Sequence, residues 1–398
     1  MLEILKARDF ALLFSAQVVA LLGTGLMSVA LGLLAYDLAG GDAGVVLGTA
    51  YAIKMVAYVG LSPVAHAVVA RLPRKAVLIG ADVVRGGVAL CLPFVTEVWQ
   101  IYILIFVLQA ASATFTPTFQ AVIPDILTDE ARYTRALSLS RLAYDIENVA
   151  SPALAGLLLL VMPFSALFAG TALGFAASAL LVRRATVPPV SEAAGTAPFV
   201  TRATAGIRHY LATPRLRGLL ALNLGAAASG AFVLVNTVVL VRSGFGLDEA
   251  ALAAAMAAFG AGSMAAALVV PRAVEALGDR PLMIGAGWAL GVLTLAVGGW
   301  MAGQGLPAWP VFLGLWGMIG ALYSAILTPS GRLIRRSGDA AERPGLFTAQ
   351  FALSHACWLL TYPLAGYAGR VLGMPAAMLI LGALALGGVL AARRVWPA

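Results

Sequence analysis

Five ionisable residues stand inside long apolar runs of this 398-residue chain: Lys54, Arg141, Asp145, Glu147 and His355. Each type carries its own chemistry. A carboxylate or imidazole withdrawn from water can take up and release a proton as its surroundings change. A lysine or arginine can hold an anion or balance such a carboxylate. Arg141 and Asp145 are four apart, so a helix puts them on one face, where they can pair. Glu147, two residues beyond Asp145, is turned about 200° round the helix and faces elsewhere. His355 has Ser354, Cys357 and Trp358 for neighbours. With Cys357, Asp145 and Glu147 it also makes a donor set of the kind a divalent metal ion takes.

Polar and aromatic residues in the same runs extend the candidate set. Gln17, Asn223 and Asn236, with Asn148, can face a cavity or tie helices together. Tyr51, Tyr144 and Trp358 can line a pocket, as can Tyr58, Trp288, Trp316 and Tyr323; the plain alternative for such rings is packing or interfacial anchoring. For Arg141 and Asp145 that alternative is a structural pair, and for His355 a bond to a backbone carbonyl. Nothing in the chain supports other chemistries. There is no glycine-rich phosphate loop closed by Lys-Ser/Thr, no HExxH pair, and no nucleophile–base set. No enzyme, cofactor or resident metal is expected.

The elements that carry these residues follow from composition. Hydrophobic residues make up 61% of the chain and charged residues 11%, with a mean hydropathy of +0.94. Soluble domains run near 45–50% apolar and about 25% charged. Soluble globular domains, disorder, coiled coil and a disulfide framework are excluded, and both cysteines, Cys91 and Cys357, sit in apolar runs. Twelve stretches are long enough to cross a hydrocarbon core of about 30 Å: 10–36, 44–70, 75–96, 99–123, 134–161, 164–182, 216–241, 248–270, 279–301, 307–329, 344–369 and 372–392. They are continuous rather than alternating, so they are helices and not barrel strands. An ionisable group at mid-bilayer costs about 2.5–3.5 kcal/mol, so each needs a reason to be there. Lys54 lies about ten residues, roughly 15 Å, into the second span.

The net charge of +8 is a matter of sidedness. Twenty-one basic residues fall at one side, among them Lys6, Arg8, six arginines of the 183–217 connector, and Arg393 and Arg394. Two, Arg242 and Arg370, fall at the other, with Asp37, Asp42, Glu97, Asp248 and Glu249. The positive-inside bias puts both termini in the cytoplasm. No nucleic-acid partner is expected, because no basic patch leaves the membrane surface. The first span is too long for a cleavable signal and is flanked by Lys6, Arg8 and Asp9, so it is retained.

The polar connector divides the spans six and six, and the halves echo each other. Thr116-Pro117 answers to Thr328-Pro329, and Pro152-Ala153-Leu154-Ala155-Gly156 to Pro363-Leu364-Ala365-Gly366. Pro63, Arg71 and Asp42 answer to Pro271, Arg280 and Asp248, at offsets of 206 to 212 throughout. The expected fold is an all-α membrane protein of twelve transmembrane helices in two pseudo-symmetric six-helix bundles, residues 1–182 and 216–398, joined by a cytoplasmic linker over 183–215. Forty-three glycines fit that fold, since small residues let helix backbones approach in lipid.

Over its whole length the chain resembles the major facilitator superfamily. In the loop after the second span the family pattern is Gly, three residues, Asp, a basic residue, any residue, Gly and two basics. Here it reads His66-Ala67-Val68-Val69-Ala70-Arg71-Leu72-Pro73-Arg74-Lys75, followed by Asp82 and Arg85. The basic positions Arg71, Arg74 and Lys75 are kept, and His66, Ala70 and Pro73 replace the glycines and the acid. Asp82 and Arg85 are similar to charges that anchor this loop. Pro117-Thr118-Phe119-Gln120-Ala121-Val122-Ile123-Pro124-Asp125-Ile126-Leu127, running on to Arg135-Ala136-Leu137, is similar to the branch holding macrolide and siderophore efflux carriers. Tyr51-Ala52-Ile53-Lys54-Met55 resembles nickel-resistance carriers of the same superfamily. Phe106 stands where many proton-coupled drug antiporters carry an arginine.

What the resemblance implies is a secondary active transporter, a monomer in the bacterial inner membrane, exporting a small toxic, drug-like solute by alternating access with proton coupling. Lys54, Asp145, Glu147 and His355 would then approach one central space, Glu147 or Asp145 carrying the proton. Export of divalent nickel or cobalt is the alternative, although three histidines in all make a thin ligand supply. A membrane signalling or assembly protein that moves nothing is the alternative of another class. Its mark would be an appended soluble domain, and these residues hold none.

Overall fold

The computed structural model describes residues 2–58, 72–127, 153–188, 199–339 and 342–396, with isolated positions between 136 and 151. The described residues are helical or connecting, with no strand among them. In chain order the helices are α1 (Arg8–Ala39), α2 (Ala43–Val56), α3 (Arg74–Cys91), α4 (Val98–Ile126), α5 (Ser165–Arg184), α6 (Phe199–Ala212), α7 (Pro214–Val239), α8 (Glu249–Leu277), α9 (Asp279–Gln304), α10 (Trp309–Leu327), α11 (Ser330–Arg335), α12 (Arg343–Leu372) and α13 (Met374–Val395). Nine stretches among the described residues are long and apolar enough to cross a membrane, one being the continuous run Arg8–Val56. α12 adds a further helix of 30 residues over the expected span at 344–369. The spans expected at 44–70 and 134–161 run into residues outside those described.

Local chemistry sets the helix ends. Glu97 starts α4 with a capping box, Gln100 Oε1 accepting from the Glu97 amide at 3.1 Å. Asp248 starts α8 by accepting from the Ala251 amide at 2.9 Å. The turn from α8 to α9 passes through Gly278 at φ 84° and that from α12 to α13 through Gly373 at φ 86°, a backbone region that side-chain-bearing residues avoid. Of the three repeat-matched prolines of the second half, Pro271 lies inside α8 and Pro363 inside α12, while Pro329 separates α10 from α11.

The chain divides into two compact units, residues 1–34 with 56–195 and residues 35–55 with 196–398. In the first, α3 packs on α4 and α5, around Phe10, Leu13, Leu78, Phe115, Phe119 and Val182. In the second, α8 packs on α10 and α13 on both α7 and α9. Small residues bring these pairs together: a Cβ on Gly262 would overlap the Gly317 carbonyl, and one on Gly388 the Ala221 carbonyl.

Within the polar connector expected over 183–215 the chain forms a helix. This is α6, whose Val200, Ala203, Ile207 and Tyr210 recur at helical spacing. α6 lies against α12, Tyr210 is fully buried, and its hydroxyl donates to Gln350 Oε1. Two further spacings fit this contact: a Cβ on Gly206 would overlap the backbone of Gly345, and His209 Nδ1 lies 3.2 Å from Glu342 Oε1.

Candidate functional site

In the second unit, α2 meets α12 through a face whose residues are four and three apart: Gly44, Gly48 and Tyr51. A Cβ on Gly48 would lie 2.6 Å from the Tyr362 carbonyl oxygen, and one on Gly366 would overlap the Gly44 carbonyl. The bare faces thus let the helices touch. Beside the seam, Asn236 of α7 donates to the Ala365 carbonyl at 3.0 Å, and Arg370 pairs with Asp42 at 3.0 Å. These are two of the loop charges that the sequence sets on the arginine-poor side.

Further along α2 the glycines stop and large rings take over. The Tyr51 ring lies 5.0 Å from that of Tyr362, which stacks on Trp358 at 4.9 Å. Tyr323 of α10 meets Trp358 edge-on at 6.2 Å and Phe259 of α8 at 5.7 Å. These separations are those at which aromatic rings attract through their quadrupoles. Gly230 of α7 makes room for the Trp358 ring, since a Cβ there would lie 2.7 Å from Trp358 Cη2. Tyr51, Tyr323 and Trp358 are half-buried, so the cluster keeps an open side.

His355, one helical turn from Trp358, joins the same face. Its Nδ1 lies 2.6 Å from the Phe351 carbonyl and its ring 4.0 Å from the Phe351 ring. A carbonyl only accepts, so Nδ1 carries the hydrogen of this contact. The Lys54 ammonium lies close enough for its charge to act on this imidazole. Lys54, Tyr51, His355 and Trp358 are therefore brought together on α2 and α12, as the sequence singled them out. Arg141, Tyr144, Asp145 and Glu147 lie outside the described residues, as does Arg71.

The amide candidates behave differently from one another. Asn236 donates to Ala365 while its Oδ1 has no partner, and the buried side chain of Asn223 has none at either Nδ2 or Oδ1, among the described residues. Gln17, buried in α1, likewise leaves Oε1 without one.

In the first unit the described loop-motif residues have local partners or open a helix. Lys75 donates to the Ala185 carbonyl at 2.9 Å, and Arg74 opens α3. Asp82 and Arg85 form a buried pair, Ser178 donates to Asp82 Oδ2 at 2.7 Å, and the Arg85 guanidinium lies over the Phe115 and Phe175 rings at 4.2 and 4.5 Å. Every charge in this cluster is answered locally, which fits an anchor rather than a transport group.

Sequence reasoning passed over Asp279. Nearly buried at the start of α9, it lies 3.0 Å from Arg336 and 3.6 Å from Arg332. The signal was present: Asp279-Arg280 stands 209 residues after Ala70-Arg71, so the second half holds an acid where the first has alanine. It also passed over Tyr362 and Tyr210. Burial and the neighbouring Cys357 push the Tyr210 hydroxyl above the usual tyrosine range.

No group of three or more histidine, cysteine or carboxylate side chains gathers among the described residues. His355 and Cys357 are two apart on one helix and so point about 200° apart, which prevents both from serving one ion.

A profile of the Major Facilitator Superfamily matches residues 13–241. An uncharacterized MFS-type transporter, YfiS of Bacillus subtilis (strain 168), is 25% identical over 330 residues, covering 81% of this chain and 78% of that protein. Macrolide efflux protein A of Streptococcus pyogenes is 27% identical over 188 residues, 46% of each chain, so this match spans about half of that relative. Among solved structures, a bacterial homolog of the human lysosomal transporter Spinster, inward-facing and unoccupied, superposes with a TM-score of 0.77 at 13% identity, covering 98% of both chains. The nucleoside transporter NupG gives 0.72 at 14% identity, over 97% of this chain and 99% of that one.

Proposed function

Because the chain belongs to the Major Facilitator Superfamily, and so is a multi-pass membrane transporter and not an enzyme, we propose that it exports a small organic, drug-like solute by alternating access, in exchange for protons. The observation that carries this reading is the half-open aromatic cluster of Tyr51, Tyr323, Trp358 and Tyr362, with Lys54 and His355 at its edge. Rings with one exposed side bind the apolar body of an organic solute, and a few polar groups orient it. Likeness to macrolide efflux proteins over half their length supports the same direction and substrate class. Nickel or cobalt export finds less support, because His355 and Cys357 point apart.

Coupling is assigned to Glu147 or Asp145, carboxylates whose protonation would differ between the two access states. The halves are residues 1–182 and 216–398, linked by 183–215, in a monomer of the inner membrane with both termini in the cytoplasm. In proteoliposomes with an imposed pH gradient, Glu147→Gln and Asp145→Asn should separate binding from gradient-driven flux. Full flux in both variants sinks the proton assignment. Expression in a sensitive host, challenged with macrolides and other drugs beside nickel, cobalt and zinc salts, tests the substrate class. Tolerance of metals alone would reverse it.

A further inference from the structure

Within the second unit, α12 is held at its two ends by different neighbours. Towards its start α6 lies along it: His209 Nδ1 is 3.2 Å from Glu342 Oε1, a Cβ on Gly206 would overlap the backbone of Gly345, and the Tyr210 hydroxyl donates to Gln350. Towards its end Asn236 of α7 donates to the Ala365 carbonyl at 3.0 Å, a Cβ on Gly366 would overlap the Gly44 carbonyl of α2, and Arg370 pairs with Asp42 at 3.0 Å. Between these two holds stands Pro363. Proline has no amide hydrogen, so the Leu359 carbonyl loses its helical donor and is crowded by the proline ring. The turn from Leu359 to Pro363 is therefore where α12 bends at least cost.

The rings of the candidate site stand at that turn. Trp358 precedes it and stacks at 4.9 Å on Tyr362, which lies within it. Tyr362 is 5.0 Å from Tyr51 of α2, and Trp358 is 6.2 Å from Tyr323 of α10. A change of bend alters these separations, and ring attraction depends on distance and tilt. Two stripes of α12 divide the contacts. Phe351, His355, Trp358 and Tyr362 follow at four, three and four residues and form one stripe. Gln350, which Tyr210 bonds, comes one residue before Phe351 and is turned about 100° from it. α6 therefore bears on α12 from beside the rings. Of its three contacts Tyr210 commits most, because its side chain is fully buried. His209 and Glu342 are 35% and 46% exposed, where an ion pair contributes little.

We infer that the connector helix α6 sets the bend of α12 at Pro363, with Tyr210 as the positioning residue that spaces Trp358 and Tyr362 for the solute. A helix weakened in its middle and held at both ends has one shape while both holds last. With α6 docked, the arm from Arg343 to Trp358 cannot swing, and the rings keep the spacing that an apolar solute meets. With α6 lifted, that arm samples several bends, and only a fraction of them present the rings correctly. Apparent affinity then falls by that fraction. Tyr210 acts through α12 and needs no contact with the solute. This inference deepens the aromatic-site reading given above and rests on it.

The test uses the full chain in proteoliposomes with a labelled macrolide, reading KM and kcat of transport beside the melting temperature in detergent. Tyr210→Phe keeps the buried ring and loses only the bond to Gln350, so KM should rise about threefold. Tyr210→Ala removes the hold, and KM should rise about tenfold, with kcat little changed in either variant. Pro363→Ala restores the helical bond and removes the weak turn. In that background both Tyr210 replacements should leave KM where Pro363→Ala alone puts it. Should Tyr210→Ala fail to fold, Tyr210→Phe with and without Pro363→Ala carries the test. A lowered melting temperature with KM unmoved overturns the assignment, because Tyr210 would then serve the fold alone. KM shifts of equal size with and without Pro363 also overturn it, since the two sites would act independently. Either result leaves the exporter reading standing. A wild type that neither binds nor moves the macrolide overturns both readings together.

Discussion

At the scale of single residues, burial with local partners marks charges that hold the fold. Asp82 is 1% exposed and answered by Arg85 and Ser178. Removing one member of such a pair strands the other, so Asp82→Asn should lower unfolding free energy by about 3 kcal/mol. Thermal unfolding in detergent reads this directly, and a double replacement, Asp82→Leu with Arg85→Met, should recover much of the loss. Lys54, which we propose meets the solute, is half-buried, and its charge acts on His355. Lys54→Met should lower transport about tenfold or more, the worth of a charged hydrogen bond, with the melting temperature little changed. Undiminished flux in that variant would remove Lys54 from the site. Sequence reasoning singled out Lys54, His355, Tyr51 and Trp358 because charges and rings in apolar runs are conspicuous. It passed over Tyr362 and Asp279, whose meaning lies in partners far along the chain.

At the scale of elements, the connector helix and the glycine faces carry the consequences. α6 is held on α12 by Tyr210, Gly206 and the His209–Glu342 contact. Tyr210→Phe should cost about 1 kcal/mol for the bond to Gln350. Gly206→Val should lift the helix, so limited proteolysis ought to cut the connector much faster in that variant. The folded chain holds the Tyr210 proton more tightly than the unfolded one. Docking is therefore at full strength below the unfolded value of about 10 and weakens as pH rises beyond it. A connector cut equally fast at pH 8 and pH 11 would contradict this. Gly230→Val would place a side chain against Trp358 and tilt the ring cluster. Transport should fall while α7 remains helical by circular dichroism. The amphipathic pattern of α6 was legible in residues 199–212, though a stretch flanked by Pro198 and many arginines reads first as a polar linker.

At the scale of the whole molecule, sidedness is the property open to the simplest test. In a background with Cys91 and Cys357 replaced, Gly41→Cys should react with a membrane-impermeant maleimide on intact cells, since nothing lies within 4 Å of a Cβ there. Arg335→Cys should react only after permeabilisation. The reverse pattern would invert the topology. The amino-acid order alone determined the helical membrane class and the arginine bias of the loops, because each follows from the cost of bare backbone or charge in hydrocarbon, which every residue meets locally. Tertiary structure decided which glycine faces meet, which rings cluster about Trp358, and that Asp82 meets Arg85 and Ser178. Pairing is a property of two surfaces. No local rule along one helix states which side chain another helix will bring to it.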